Sequence, residues 1–388
     1  MAGARDGAQD GRGEAAGLAG GRARVAVLGS AGYVGAELLR LLVAHPRVEL
    51  VRAVSQSQAG TRVDRHHRHL RGASDLVFSG EAPLEAAADV DVVFLALTHR
   101  ESMQAVAALR PRLEAGEAPL VIDMAGSHRL LDPAAYRAAY GEEHVWPEVL
   151  PRFVYGLPEL GASGGLAGAR LVASPGCFAT AAALAAGPLV EATAAGRSAG
   201  LAGPLALVGF TGASGSGAQA KPTTHFPLRD GNLYAYRVLA HQHEPEVRQT
   251  LERVAAAGSC LAPPPAGARR APVDLVLTTC SAPITRGIHM TLTAALVDPG
   301  EADAVRAAYA RRYGAGRFVR LVDAPAELKG LVGTNGADVH LAVRGRHVVV
   351  TCTIDNLVKG AAGQGVQCMN LALGLDEGLG LGLPGLFP

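Results

Sequence analysis

The chain has 388 residues, 49% of them hydrophobic and 18% charged, with a formal net charge of +1. That length fits about two to three globular domains with a sizeable core. The near-neutral charge excludes a general nucleic-acid or acidic-membrane surface, no apolar run approaches the ~20 residues of a membrane span, and the glycines follow no fixed period, which excludes collagen and repeat architectures.

Residues 1–22 are Gly/Ala-rich with scattered charge and are expected to form a disordered tail. They lack the apolar centre of a secretory signal, and Asp6, Asp10 and Glu14 argue against a transit peptide. Arg24 to Leu28 reads as a strand that runs into Gly29-Ser30-Ala31-Gly32-Tyr33-Val34-Gly35 and then a helix. Gly29 permits the tight turn, Gly32 lets the backbone approach a pyrophosphate, and Gly35 allows helix to pack on strand. This G-x-x-G-x-x-G spacing is a variant of the dinucleotide fingerprint. Val48 to Ser55 is the second strand. Where a cofactor with a free ribose hydroxyl meets an Asp or Glu, this chain has Ser55-Gln56-Ser57-Gln58, then Thr61 and Arg62, a set that favours the 2′-phosphate of NADP.

Asp91 to Leu97 and Leu120 to Met124 are further buried strands, with a helix over Glu101 to Leu109 between them. The alternation implies a Rossmann-type doubly wound parallel sheet. His99 and Arg129 lie past strand ends, where such sheets bind ligands. Arg129 is a candidate for a substrate carboxylate, with a surface ion pair as its other reading.

Ala173-Ser174-Pro175-Gly176-Cys177-Phe178 follows another short apolar run and precedes a small-residue, helix-prone stretch. A cysteine at a helix start meets unpaired N–H groups and the positive dipole end, which favour a thiolate or a bound oxyanion. A buried structural cysteine is the alternative. The remaining cysteines, Cys260, Cys280, Cys352 and Cys368, form no CxxC or Cys/His cluster, so no metal is expected, and all five read as reduced thiols of a cytoplasmic protein.

After Cys177 the pattern changes. Leu205 to Val208, Val273 to Thr279, His289 to Val297 and His347 to Ile354 read as strands with one solvated face, Glu244 to Ala256 and Glu301 to Tyr313 as helices, and Pro263-Pro264-Pro265 as a loop. This is an α+β domain on a mixed sheet. Asn356 to Leu375 is a helix that returns to the first domain. The expected division is 1–22 tail, 23–176 NADP-binding domain, 177–355 catalytic and dimerisation domain, 356–377 returning helix and 378–388 tail. Phe210 to Gly217 offers an anion nest around Ser214, with Lys221 as its cation. His241 and His243 alternate, so either could face the cysteine as a titratable imidazole. A dinucleotide fold, a helix-start cysteine and a histidine together fit acyl transfer coupled to hydride transfer.

The turn at Gly29, Tyr155-Gly-Leu-Pro-Glu159, Ser174-Pro-Gly-Cys177, His241-Gln-His-Glu-Pro-Glu246, Ile354-Asp-Asn-Leu-Val-Lys-Gly-Ala-Ala-Gly-Gln364 and Gln367-Cys-Met-Asn-Leu-Ala-Leu-Gly374 occur in one order. Over roughly residues 23–377 the chain resembles the N-acetyl-gamma-glutamyl-phosphate reductase family of the semialdehyde-dehydrogenase superfamily. The resemblance implies reduction of N-acetyl-L-glutamyl 5-phosphate by NADPH, the third step of arginine biosynthesis, in a homodimer or homotetramer with no nucleic-acid or membrane partner. It makes Cys177 the nucleophile and His241 the acid/base. It gives residues 29–35 and the segment with Asn356 and Gly360 to the cofactor and sets Arg129 where the family usually has an Arg. On the residues themselves, Ser55 and Ser57 join the candidate cofactor set, and Ser214, Lys221 and His243 the candidate substrate set.

Three departures stand out. The family commonly has Asn at Ser174 and Tyr at Phe178, and an Asp-Phe pair ahead of Arg129 where this chain has Ser127-His128. Pro222 to Tyr236 looks like a subgroup variant, which leaves an N-succinyl or carrier-bound aminoadipyl phosphate open as substrate. A cysteine acyltransferase or hydrolase is the alternative from another class, but it gives the Gly29 turn no role. A non-catalytic dinucleotide-binding protein would make Cys177 dispensable.

Overall fold

The computed structural model describes residues 21–161, 165–194, 200–261 and 272–386. Most of the expected N-terminal tail and the Pro263–Pro265 loop lie outside the described residues. The first sheet is built from β1 (Ala23–Leu28), β2 (Val48–Val54), β3 (Val92–Leu95), β4 (Leu120–Asp123), β5 (Val154–Tyr155) and β6 (Leu171–Ala173). Its order is β2-β1-β3-β4-β6-β5 and every pair is parallel. β3, β4 and β6 are short, buried throughout and almost wholly apolar because helices cover both faces. Strand order reverses between β1 and β3, so the crevice at their C-terminal ends is where a ligand fits.

The second sheet is mixed. It contains β7 (Leu205–Thr211), β8 (Tyr234–Tyr236), β9 (Leu275–Ser281), β10 (Ile288–Ala295), β11 (Val319–Leu321), β12 (Ala337–Arg344) and β13 (His347–Ile354), in the order β11-β12-β13-β10-β7-β9-β8. β7 pairs parallel with β9 and antiparallel with β10. Buried and less buried residues alternate along β7 and β9, as the period-two pattern requires.

The main helices are α1 (Tyr33–Val43), α2 (His99–Ala108), α3 (Cys177–Ala194), α4 (Glu244–Ala257), α5 (Ala302–Tyr313) and α6 (Gly363–Ala372). α2 starts two residues before the expected Glu101, because Thr98 caps it: the Glu101 N–H donates to Thr98 Oγ1 (3.4 Å), and Glu101 Oε2 accepts the Thr98 N–H (3.0 Å). α3 is 18 residues long and apolar enough to cross a membrane by length and composition, but most of it is buried inside the protein. Its alanines let it pack closely on β10, β13, α4 and α5, so it is the core helix of the second domain.

The returning segment differs from the expected continuous helix. Asn356 and Leu357 form a turn, Val358–Ala362 is π-helical, and only then does α6 begin. The cause is Asp355, whose Oδ1 accepts the N–H groups of Leu357 (2.8 Å) and Val358 (3.1 Å) and so re-aims the chain. The segment then packs against both α1 and α3. A charged bridge joins the halves at the same place: Arg286 reaches Glu37 on α1 (2.7 Å) and Asp355 (2.9 Å).

Candidate active site

The dinucleotide turn has the geometry its glycines imply. Gly29 adopts φ +77°, and a side chain there would run into the Ala96 carbonyl. A Cβ at Gly35 would sit 2.5 Å from Ser30 Cα. Gly32 is open; a Cβ there would meet only the Gly29 carbonyl, at 3.7 Å. Backbone can therefore come close to a diphosphate at Gly32, beside the α1 N-terminus whose first N–H groups lack intrahelical acceptors. The turn fits a dinucleotide through its backbone more than its side chains. Ser30 is fully buried and its hydroxyl donates to the Val54 carbonyl (2.9 Å), whereas Tyr33 is exposed.

Two histidines that sequence reasoning passed over brace the same turn: His67 Nε2 lies 2.8 Å from the Ser30 carbonyl and His66 Nε2 3.2 Å from that of Ala31. Ser55 and Ser57 stand together past the end of β2, their hydroxyls 3.4 Å apart. Arg62 is not a free cation. It forms a two-pronged pair with Asp64 (2.9 Å each) and a further one with Asp75 (2.9 Å).

β6 delivers Cys177 as the first residue of α3. Gly176 is required there, since a Cβ would lie 2.5 Å from His243 Nε2 and 2.8 Å from Arg129 Nη1. On the other side Gly360 closes in; a Cβ on it would stand 2.7 Å from Cys177 Cβ. The Phe178 ring lies 5.3 Å from that of His241 and 6.5 Å from that of His243, and the two imidazoles are 4.9 Å apart. Gly360 thus meets Cys177 directly, and the rings of His241 and His243 meet its neighbours Phe178 and Gly176, all drawn from distant parts of the chain.

The electrostatics differ from the helix-start expectation. Burial pushes the Cys177 thiol up to about 11, although Arg129 and the Phe178 N–H act to lower it. Burial, followed by Arg237, pulls His241 down to about 4, and His243 is held well below its ordinary value by burial and Arg129. Both imidazoles are therefore neutral at pH 7. His241 Nδ1 accepts the His243 backbone N–H (3.2 Å), which assigns the neutral ring's proton to Nε2 and makes that atom a donor.

Three other expected site residues sit differently. Arg129 lies behind the turn, 6% exposed, with Nε on the Ser174 carbonyl (2.7 Å), Nη2 on that of Met124 (2.8 Å) and Nη1 near Glu246 (3.5 Å). The expected anion nest is closed: the N–H groups of Gly212, Ala213 and Ser214 donate to the carbonyls of Gly287, Ile284 and Thr285. Ser214 and Asn356 are hydrogen-bonded to each other, and Asn356 also takes the Gly287 N–H (2.6 Å).

Lys221 lines a cleft of about 590 Å³, together with Tyr33, Ser214, Phe226, Arg286 and Leu357. This cleft joins the dinucleotide turn to the segment that carries Gly360. Sequence reasoning assigned no role to Glu246 or Tyr155, although both lie in the motifs quoted above. The Tyr155 hydroxyl donates to Glu246 (2.8 Å). Among the described residues no group of His, Cys, Asp and Glu could hold a metal ion.

Comparison with known proteins agrees with this architecture. Residues 24–164 match the family model of the semialdehyde dehydrogenase NAD-binding domain, and residues 177–356 that of the semialdehyde dehydrogenase dimerisation domain. The chain is 40% identical to an N-acetyl-gamma-glutamyl-phosphate reductase of Acidothermus cellulolyticus, over 94% of this chain and 99% of that one. It is 35% identical to a [LysW]-L-2-aminoadipate 6-phosphate reductase of Deinococcus radiodurans, over 94% and 98%. Among solved structures it shares its fold with the aspartate semialdehyde dehydrogenase of Francisella tularensis, at TM-score 0.61 and 14% identity, over 90% of this chain and 99% of that one. A similar likeness, at TM-score 0.59 and 16% identity over 90% and 98%, is to the Candida albicans enzyme, solved with NADP.

Proposed function

The chain belongs to the semialdehyde dehydrogenase family of oxidoreductases, and on that premise we propose that it reduces N-acetyl-L-glutamyl 5-phosphate to N-acetyl-L-glutamate 5-semialdehyde with release of phosphate, through a thioester on Cys177, as a step of arginine biosynthesis in the cytoplasm. The observation that carries the reading is the convergence at Cys177. Its Cβ abuts Gly360, and three residues before Gly360, Leu357 shares a cleft with Tyr33 of the dinucleotide turn.

The Gly29–Gly35 turn would hold the diphosphate, and Ser55 and Ser57 the 2′-phosphate that distinguishes NADP. Gly360 would line the nicotinamide side. When bound, the cofactor supplies a hydride. The sulfur of Cys177 attacks the acyl carbon, the carbon–oxygen bond to phosphate breaks, and the leaving phosphate carries off the thiol proton. His241 Nε2–H donates to the oxygen that gains charge at each tetrahedral stage. Carbon–sulfur cleavage then frees the aldehyde, and one proton from solvent restores the thiol. Lys221, on the cleft wall, is the cation we assign to the substrate's phosphate. His243 and Arg129 pack against Gly176 ahead of the nucleophile, and Ser214, hydrogen-bonded to Asn356, lines the cleft.

The family match supplies a dimerisation domain, and we propose a homodimer or homotetramer. The Deinococcus relative supports a second reading, a carrier-bound aminoadipyl phosphate, for the same chemistry. The test is a panel of N-acetyl, N-succinyl and carrier-linked semialdehydes, each assayed for NADPH formation with NADP⁺ and phosphate. The first reading requires the N-acetyl compound to give the highest kcat/KM.

A further inference from the structure

We propose that Glu246 is a positioning residue for the nucleophile: reaching in from α4, its carboxylate grips the peptide ahead of Cys177 and opposes the charge of Arg129 beside the sulfur. This rests on the reading that Cys177 is the nucleophile.

Glu246 is completely buried in the first turn of α4. One oxygen, Oε1, accepts both the Gly176 N–H (2.8 Å) and the Tyr155 hydroxyl (2.8 Å), and Oε2 faces Arg129 Nη1 at 3.5 Å. Arg129 meanwhile holds the Ser174 carbonyl. The turn Ser174-Pro175-Gly176 is therefore clamped at both ends, its first carbonyl by a guanidinium and its last N–H by a carboxylate. Hydrogen bonds to charged groups are the stronger kind. The clamp has a chemical consequence, because the Gly176 N–H, at a helix start, would otherwise be available to a bound oxyanion. Glu246 takes it, leaving the Phe178 N–H directed at the sulfur.

The groups that face the sulfur are Arg129, Glu246, Tyr236 from β8 and, across Phe178, the neutral rings of His241 and His243. Arg129 favours the thiolate and Glu246 opposes it. Burial keeps the resting thiol protonated, and Glu246 offsets part of the pull of the Arg129 charge buried behind the turn.

The test measures kcat, KM and the pH dependence of Cys177 alkylation by iodoacetamide, followed on the Cys177 peptide by mass, in wild type, Glu246→Gln and Glu246→Asp. Glutamine keeps the shape and an acceptor oxygen but removes the charge, so the alkylation half-point should move to lower pH. Aspartate keeps the charge and withdraws it by one methylene. The half-point should then stay near wild type while kcat falls by about tenfold to a hundredfold and KM changes by no more than about threefold. A Glu246 that merely supports the fold would lower the melting temperature of both variants and leave the half-point in place, and that result would overturn the proposal. So would wild-type kcat in Glu246→Asp, which decides the matter even if Glu246→Gln does not fold. Activity that persists in Cys177→Ser removes the nucleophile reading instead, and the half-point still reports on Glu246 alone.

Discussion

Gly360 stands so close to Cys177 that a methyl group on it would lie 2.7 Å from the cysteine Cβ. Real Cβ contacts do not get that short, so Gly360→Ala must push the returning segment away from the nucleophile. Displacement of this order costs about a hundredfold in rate where geometry is tight, and overpacking costs about 1–3 kcal/mol of stability. We expect kcat to fall by about tenfold or more with circular dichroism little changed. Steady-state kinetics beside a urea titration checks this; wild-type turnover would mean the contact does not shape the site.

The protonation states define a second expectation. With the thiol pushed up to about 11 and His241 pulled down to about 4, the unliganded enzyme at pH 7 holds a neutral thiol and a neutral imidazole. Alkylation of free Cys177 should be slow at pH 7 and climb steadily through pH 9. A plateau already reached near pH 7 would show a preformed thiolate. His241→Asn should lower kcat by about a hundredfold or more while leaving the melting temperature near wild type.

Arg286 ties the two halves together through Glu37 and Asp355. Burial works to raise the Glu37 carboxyl, but Arg286 and Arg40 outweigh it and hold the group below its ordinary 4.5. A carboxylate depressed in the folded state contributes stability above its ordinary value, and that contribution is lost as pH falls through the lowered value. Arg286→Ala leaves two shielded carboxylates without this partner and should cost about 2 kcal/mol or more at pH 7. Its acid-unfolding midpoint should move to higher pH than that of wild type. Thermal scans between pH 3 and pH 7 measure both effects.

Cofactor choice is tested at Ser57, which is exposed past the end of β2. A carboxylate there would repel a 2′-phosphate and suit a free ribose hydroxyl. Ser57→Asp should raise KM for NADPH by about tenfold or more and leave KM for NADH unchanged or lower. Equal effects on both cofactors would place the 2′-phosphate elsewhere.

What could be read along the chain was whatever local spacing decides. Gly29, Gly32 and Gly35 carry their roles in their own neighbourhood, and the apolar runs of β1, β3 and β4 declare a sheet covered on both faces. Cys177 was legible because a strand, a Ser-Pro-Gly turn and a small-residue helix adjoin it in sequence. The charge partners distant in sequence were not legible. For Arg62 the two-pronged partner Asp64 stands two residues on and was open to reading, and folding adds only Asp75. Arg129 and Glu246 are 117 positions apart and meet only once α4 docks on the turn. The Gly/Ser run at Ser214 looked like an anion nest because nothing nearby in sequence reveals that the carbonyls of Ile284, Thr285 and Gly287 answer its N–H groups. The π-helical Val358–Ala362 has helix-like composition, and Asp355 redirects it through both its side chain and its carbonyl.

The most direct measurement is NADPH formation from N-acetyl-L-glutamate 5-semialdehyde and NADP⁺, with and without phosphate, in wild type and Cys177→Ser. Reduction of NADP⁺ should require phosphate in wild type and fall by about a thousandfold or more in the variant. NADPH formed at an undiminished rate without phosphate, or by the serine variant, would contradict a thioester on Cys177.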